Sequence, residues 1–169
     1  MGFQVYNVMP IPPDDAITRY VEAGPLRVGV ELRHLDEAEL DAAYGDDPAA
    51  QAEIDANKPA AGVEDEGVSI HVFGDDGREY LRFDMFEAGP HYHYIAHARA
   101  ENVIVDYDPT ALGDMLEWSL ERLRSRLPEM LERAAAPAYA AALDSGTWSR
   151  CVEEVGRLAR EARAKLASL

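Results

Sequence analysis

The stretch from Arg78 to His97, REYLRFDMFEAGPHYHYIAH, constrains the fold most. Its two arms alternate in polarity with the two-residue period of a β-strand, and a Gly-Pro pair interrupts them. In the first arm Leu81, Phe83 and Met85 share one face and Tyr80, Arg82 and Asp84 the other; in the second, His91, His93 and Ile95 oppose Tyr92, Tyr94 and Ala96. With Glu87-Ala88-Gly89-Pro90 as a four-residue connection, Phe86 faces His91 and Asp84 faces His93. Upstream, Val68 to Phe73 runs through the turn Gly74-Asp75-Asp76-Gly77 into Arg78, and pairing Phe73 with Arg78 sets His71 opposite Tyr80. Both registers bring His71, Asp84, His91 and His93 to one face of a three-stranded antiparallel meander. That placement depends on register, since a slip of one residue turns a strand's side chains over.

The remaining pattern extends the sheet and adds helices. Phe3 to Val8 reads as a short edge strand stopped by Pro10, Pro12 and Pro13. A short helix is expected from Pro13 to Ala23, with Asp14 and Asp15 in its first turn and Gly24-Pro25 as its stop. Leu26, Val28, Val30 and Leu32 alternate with Arg27, Gly29, Glu31 and Arg33 in an amphipathic strand. The acidic, alanine-rich segment 36–67 carries helical patches at Glu37 to Tyr44 and Pro48 to Asn57, with loop expected at Lys58 to Gly62 and Glu64 to Glu66. It reads as a mobile insertion beside the sheet.

Asn102 to Tyr107 supplies a further strand, and Asp108-Pro109 opens the helical part, 109–169. Leu112, Leu116, Leu120, Leu123 and Leu127 keep helical spacing up to an expected break at Pro128. A short helix toward Leu143 and a last one bearing Trp148, Cys151, Val152, Val155, Leu158 and Ala159 on one stripe complete the chain. Strands precede helices, so the fold class is α+β: an antiparallel sheet with C-terminal helices on its apolar face, in a single domain over 1–169.

Charge and composition then exclude several functions. Acidic residues number 32 against 16 basic ones, a formal charge of −16 that disfavours nucleic acid and anionic membranes as partners. No apolar run reaches the length of a membrane span, and MGFQVYNVMPIPPDD lacks the basic start and apolar core of a signal peptide. The single cysteine fits a reducing, cytoplasmic setting. On the helix stripe it reads as a small buried hydrophobe rather than a reactive thiol.

The polar sheet face holds the candidate chemistry. Two histidines spaced i, i+2 on a strand aim the same way, and a carboxylate from the next strand completes a ligand set for zinc, iron or manganese. His91 and His93 with Asp84, and His71 beside them, are the candidate metal ligands; Arg82, Glu31 and Tyr80 are neighbours on that face. The motif departs from the cupin pattern around His-x-His, because Gly89 stands too close and His97 and Ala98 occupy the place of its glutamate. Without a metal, the same residues form an ordinary solvated polar face. The sequence favours a binding or accessory module that engages a small molecule or a protein. The alternative is a metal-dependent enzyme, a hydrolase or an oxygen-using one, and a homo-oligomer is compatible with both.

Overall fold

A computed structural model describes residues 2–168 as one seven-stranded antiparallel sheet with helices on both faces. The strands are β1 (Phe3–Tyr6), β2 (Arg19–Ala23), β3 (Leu26–Asp36), β4 (Glu64–Gly74), β5 (Glu79–Phe86), β6 (His91–Ala96) and β7 (Glu101–Asp106), in the order β1-β7-β6-β5-β4-β3-β2. The helices α1 (Glu37–Tyr44) and α2 (Pro48–Asn57) lie between β3 and β4 in the chain. After β7 come α3 (Pro109–Leu112), α4 (Met115–Ser125), α5 (Leu127–Arg133), α6 (Pro137–Ala142) and α7 (Ser145–Leu166). No helix among the described residues is long and apolar enough to cross a membrane.

The apolar face is the expected one. Val28, Val30, Ile70, Val72, Leu81 and Phe83 are buried against Leu116, Leu120 and Leu123 of α4 and Val152 and Val155 of α7. Asp144 caps α7 by accepting from the Thr147 amide, and the Trp148 indole N–H donates to the Leu123 carbonyl at 2.8 Å, which pins α7 to α4. Trp118 joins Tyr92 and Tyr107, each ring centroid 5.1 Å away.

Several expectations are corrected. The segment read as a helix from Pro13 to Ala23 ends in strand β2. Gly24-Pro25, taken as a helix stop, is the two-residue turn of a β2–β3 hairpin, with Ala23 paired to Leu26 and Gly24 at φ +62°. Glu64 to Glu66, read as loop, begins β4, because β3 runs on to Asp36 and pairs with it. The helix expected from Pro109 to Leu127 breaks at Gly113, φ +83°, and restarts under a new cap at Asp114; Pro128 then sits in the first turn of α5.

Both meander registers are shifted by two residues. His71 pairs with Arg82 rather than Tyr80, and Asp84 pairs with His91 rather than His93. An even shift preserves sidedness, so the predicted face survives. Tyr80 does not remain on it. A bulge between Val72 and Phe73 leaves Tyr80 unpaired, and its ring packs with Tyr139 on the helical side while Glu79 points to the polar face.

The polar face is not solvated either, and topology explains why. β1 lies at one edge and β2 at the other, six inter-strand steps apart, or about 29 Å. Residues 7–18 cross that width, which a chain of this length spans with slack at ~3.3 Å per residue. This strap, with α1 and α2 beside it, covers the polar face. Its prolines leave fewer donors to satisfy, and its carbonyls are used: Val8 accepts from Asn102, Ile11 from Arg82 and Tyr44 holds Met9.

Candidate metal centre

Two rows of paired residues cross the polar face. One runs Ser69, Asp84, His91, Asp106 over β4 to β7; the next runs His71, Arg82, His93, Ile104. In the first rows' overlap Asp84, His91 and His93 each offer one ligand atom, all within 4.8 Å of one another. The Nε2 atoms of His91 and His93 stand 3.3 and 3.1 Å from the same Asp84 Oδ2. Asp84 is 2% exposed and His93 4%, while 19% of the His91 side chain faces the cavity above.

The other ring nitrogens fix the tautomers. His91 Nδ1 lies 2.6 Å from the Gly89 carbonyl oxygen, an acceptor only, so it carries a proton. Asn102 gives its NH2 to the Val8 carbonyl at 3.2 Å, which turns its oxygen toward His93 Nδ1 at 2.8 Å; that nitrogen is protonated too. In the neutral rings both Nε2 lone pairs therefore aim at a carboxylate oxygen. Such a meeting of three acceptors requires a cation, either a proton on one ring or a metal among all three. Ligands held at about 2.1 Å from a metal lie ~3.0 Å apart at right angles and ~3.4 Å apart at tetrahedral angles, and the two observed separations fall between these values.

Asp84 is built to stay ionised. Burial alone would raise its pKa, but hydrogen bonds from His91 and His93 and the Arg82 charge hold it well below the usual carboxylate range. Ser69 Oγ donates to its other oxygen. Burial pulls His91 down, yet Asp84 lifts it above the ordinary value; burial and the neighbouring His91 charge push His93 below it.

His71 is not brought to this group. Fully buried, it lies 2.7 Å from Glu79 Oε1 through Nδ1 and 3.4 Å from Glu31 Oε1 through Nε2. Burial opposes its charge, but the two carboxylates raise its pKa overall. Glu79 in turn holds Arg82 through both oxygens, and Glu31 holds Arg33 at 2.6 Å and accepts from Asp14 N and Thr18 Oγ1. Against the burial that would raise them, these partners lower Glu31 and Glu79 to about 2. His71 thus belongs to an ion network beside the triad.

Sequence reasoning missed Asn102, Ser69, Glu79 and Arg33. Asn102 had left one signal, an amide side chain at an alternating position inside a strand, where asparagine is disfavoured. Above the triad lies a cavity of about 450 Å³, floored by Arg82, Asp84, His91 and His93 and roofed in part by Tyr44 and Ile54 of α1 and α2. The acidic insertion of residues 36–67 therefore contributes the cavity's roof.

Residues 20–159 match the family model described as Domain of unknown function (DUF7700). No curated protein and no solved structure matches the chain. The matched range contains the charged side chains of the triad and its ion network, whereas the strap, residues 7–18, precedes it.

Proposed function

Because this chain belongs to the DUF7700 family, whose description assigns no activity, we propose from its side chains that Asp84, His91 and His93 bind one divalent transition metal that addresses a small molecule in the cavity. The observation that carries this reading is the convergence of two histidine Nε2 atoms and one carboxylate oxygen, with both Nδ1–H groups already given to fixed acceptors. Metal-bound histidines are oriented by such outer hydrogen bonds. Two histidines and one carboxylate suit iron, zinc or manganese and leave positions open for water or substrate. The corresponding activity is metal-assisted, either hydrolytic or oxygen-using.

The setting is consistent with a cytoplasmic protein that handles a small molecule. Cys151 is buried in α7, with burial pushing its thiol up to about 12, and neither forms a disulfide nor offers a reactive thiolate. The net charge of −16 disfavours nucleic acid.

Elemental mass spectrometry of protein purified without a metal-affinity step tests the site. Wild type, reconstituted with each metal in turn, is expected to hold close to one equivalent of at least one of them. A His91→Ala, His93→Ala double variant that keeps its circular dichroism is expected to hold none, and His71→Asn to keep the wild-type content. If wild type retains no zinc, iron or manganese, the metal reading falls and the binding-module reading takes its place. The triad is then an ion pair under a ligand cavity.

A further inference from the structure

The walls of the cavity are sorted by charge and depth. Arg33 and Arg82 line it, while the carboxylates that hold them, Glu31 and Glu79, do not. Both arginines are buried, at 7% and 3% exposure. Other acidic lining residues are differently placed: Glu64 and Asp106 are exposed, and Asp65 is taken up by the amides of Ala88 and Gly89. The deep end of the cavity therefore presents two guanidinium groups against the one buried carboxylate of Asp84, within a protein whose overall charge is −16.

Arg82 has donors to spare. Its Nε and Nη2 are bound to Glu79 at 2.8 and 2.7 Å, and Nη2 also reaches the Ile11 carbonyl. Nη1 donates to none of the described residues, leaving two N–H groups of the guanidinium free. Arg82 pairs directly with His93 across β5 and β6, and its charge acts on Asp84, His91 and His93, so the guanidinium lies near the triad. A planar anion placed there meets a charged donor on one side and the metal on the other. The opposite wall is apolar: Leu35 from β3, Leu40 and Tyr44 from α1 and Ile54 from α2. A cavity near 450 Å³ lies within the usual range for small-molecule sites. The chain has no glycine-rich phosphate loop, which points to a carboxylate head rather than a phosphate.

We propose that this cavity binds a small organic carboxylate with an apolar body, its head between Arg82 and the triad's metal and its body against Leu35, Leu40, Tyr44 and Ile54. The assignment names the ligand class of the site above and rests on that reading for the metal side of the head group.

Calorimetric titration with four probes of similar shape tests it: 3-phenylpropanoate, 3-phenylpropanamide, 3-phenylpropylamine and phenethyl phosphate. Each is added to metal-loaded protein and to the same protein after chelation. With metal, the carboxylate is expected to bind at least tenfold tighter than the amide and the phosphate, and the amine not at all. Ile54→Trp fills the apolar end and is expected to weaken the carboxylate at least tenfold with metal content unchanged; Leu40→Trp serves if that variant does not fold. Equal binding of amide and carboxylate, preference for the phosphate, or no binding of any probe overturns the proposal while leaving a measured metal content standing. If no metal binds but the carboxylate preference persists, the metal reading alone fails, and the anion site stands on Arg33 and Arg82.

Discussion

Asn102 joins three parts of the molecule through one amide. Its oxygen receives His93 Nδ1–H, its NH2 group holds the Val8 carbonyl of the strap, and its backbone lies in β7. Removing a residue that orients a metal-bound histidine typically costs 10–100-fold in metal affinity. Asn102→Leu is therefore expected to weaken the metal by about that factor in a chelator competition. Asn102→Asp, which keeps an acceptor for His93, is expected to recover most of the loss. Equal losses in the two variants would show that Asn102 acts through the strap alone. His71 makes the complementary point. Residue type and sidedness suggested a ligand, but on neighbouring strands Glu79 holds its Nδ1 and Glu31 stands 3.4 Å from its Nε2. Which carboxylate a histidine meets depends on cross-strand register, and local alternation specifies that only modulo two.

At the scale of elements, strand registers are set by contacts that local patterns do not contain. The last β5–β6 pair joins Asp84 to His91, so the chain between paired residues runs over 85–90 rather than 87–90, and Asp65 of β4 accepts from the Ala88 and Gly89 amides within it. That loop presents the Gly89 carbonyl to His91, so Asp65 acts on the triad through Gly89. The β4–β5 pairing also needs a small residue at Gly67, where a Cβ would stand 2.2 Å from the Met85 oxygen and 2.9 Å from Phe86 Cα. Backbone cannot swing aside as a flexible side chain would. Gly67→Ala is expected to cost roughly 1–3 kcal/mol through forced separation of the strands, read from urea denaturation midpoints. Gly24→Ala meets no atom within 4 Å and carries only the φ +62° penalty, on the order of 1 kcal/mol. A Gly67 variant no less stable than the Gly24 one would mean that the ladder yields there without strain.

At the scale of the whole molecule, the return of β1 to the far edge of the sheet converts a polar face into a polar interior. A plain meander with β1 beside β2 would leave Arg33, Arg82 and Asp84 in water. Here the strap lies over them, supplies carbonyls at Val8, Ile11 and Pro12, and is tied to α2 by Glu53, which accepts from the amides of Asn7 and Val8. Deleting residues 2–6 removes only the edge strand. Deleting 2–12 also strips acceptors from buried Arg33, Arg82 and Asn102, at about 1–3 kcal/mol for each buried group left unpaired. The longer deletion is expected to be markedly less stable in urea than the shorter one. Similar midpoints for the two would remove the strap from its role as a cover.

The sequence by itself determined the α+β class, the α1 and α2 boundaries, the C-terminal helical layer and the sidedness of Asp84, His91 and His93. Each of these rests on local periodicity or local capping. Only the tertiary structure decided the β2 hairpin, the two-residue register shifts, the exchange of Tyr80 for Glu79 at a bulge, and the separation of His71 from the triad. It also decided that the polar face is buried. Strand order determines where the N-terminal segment must run, and that is a property of distant edges meeting rather than of any stretch of neighbouring residues.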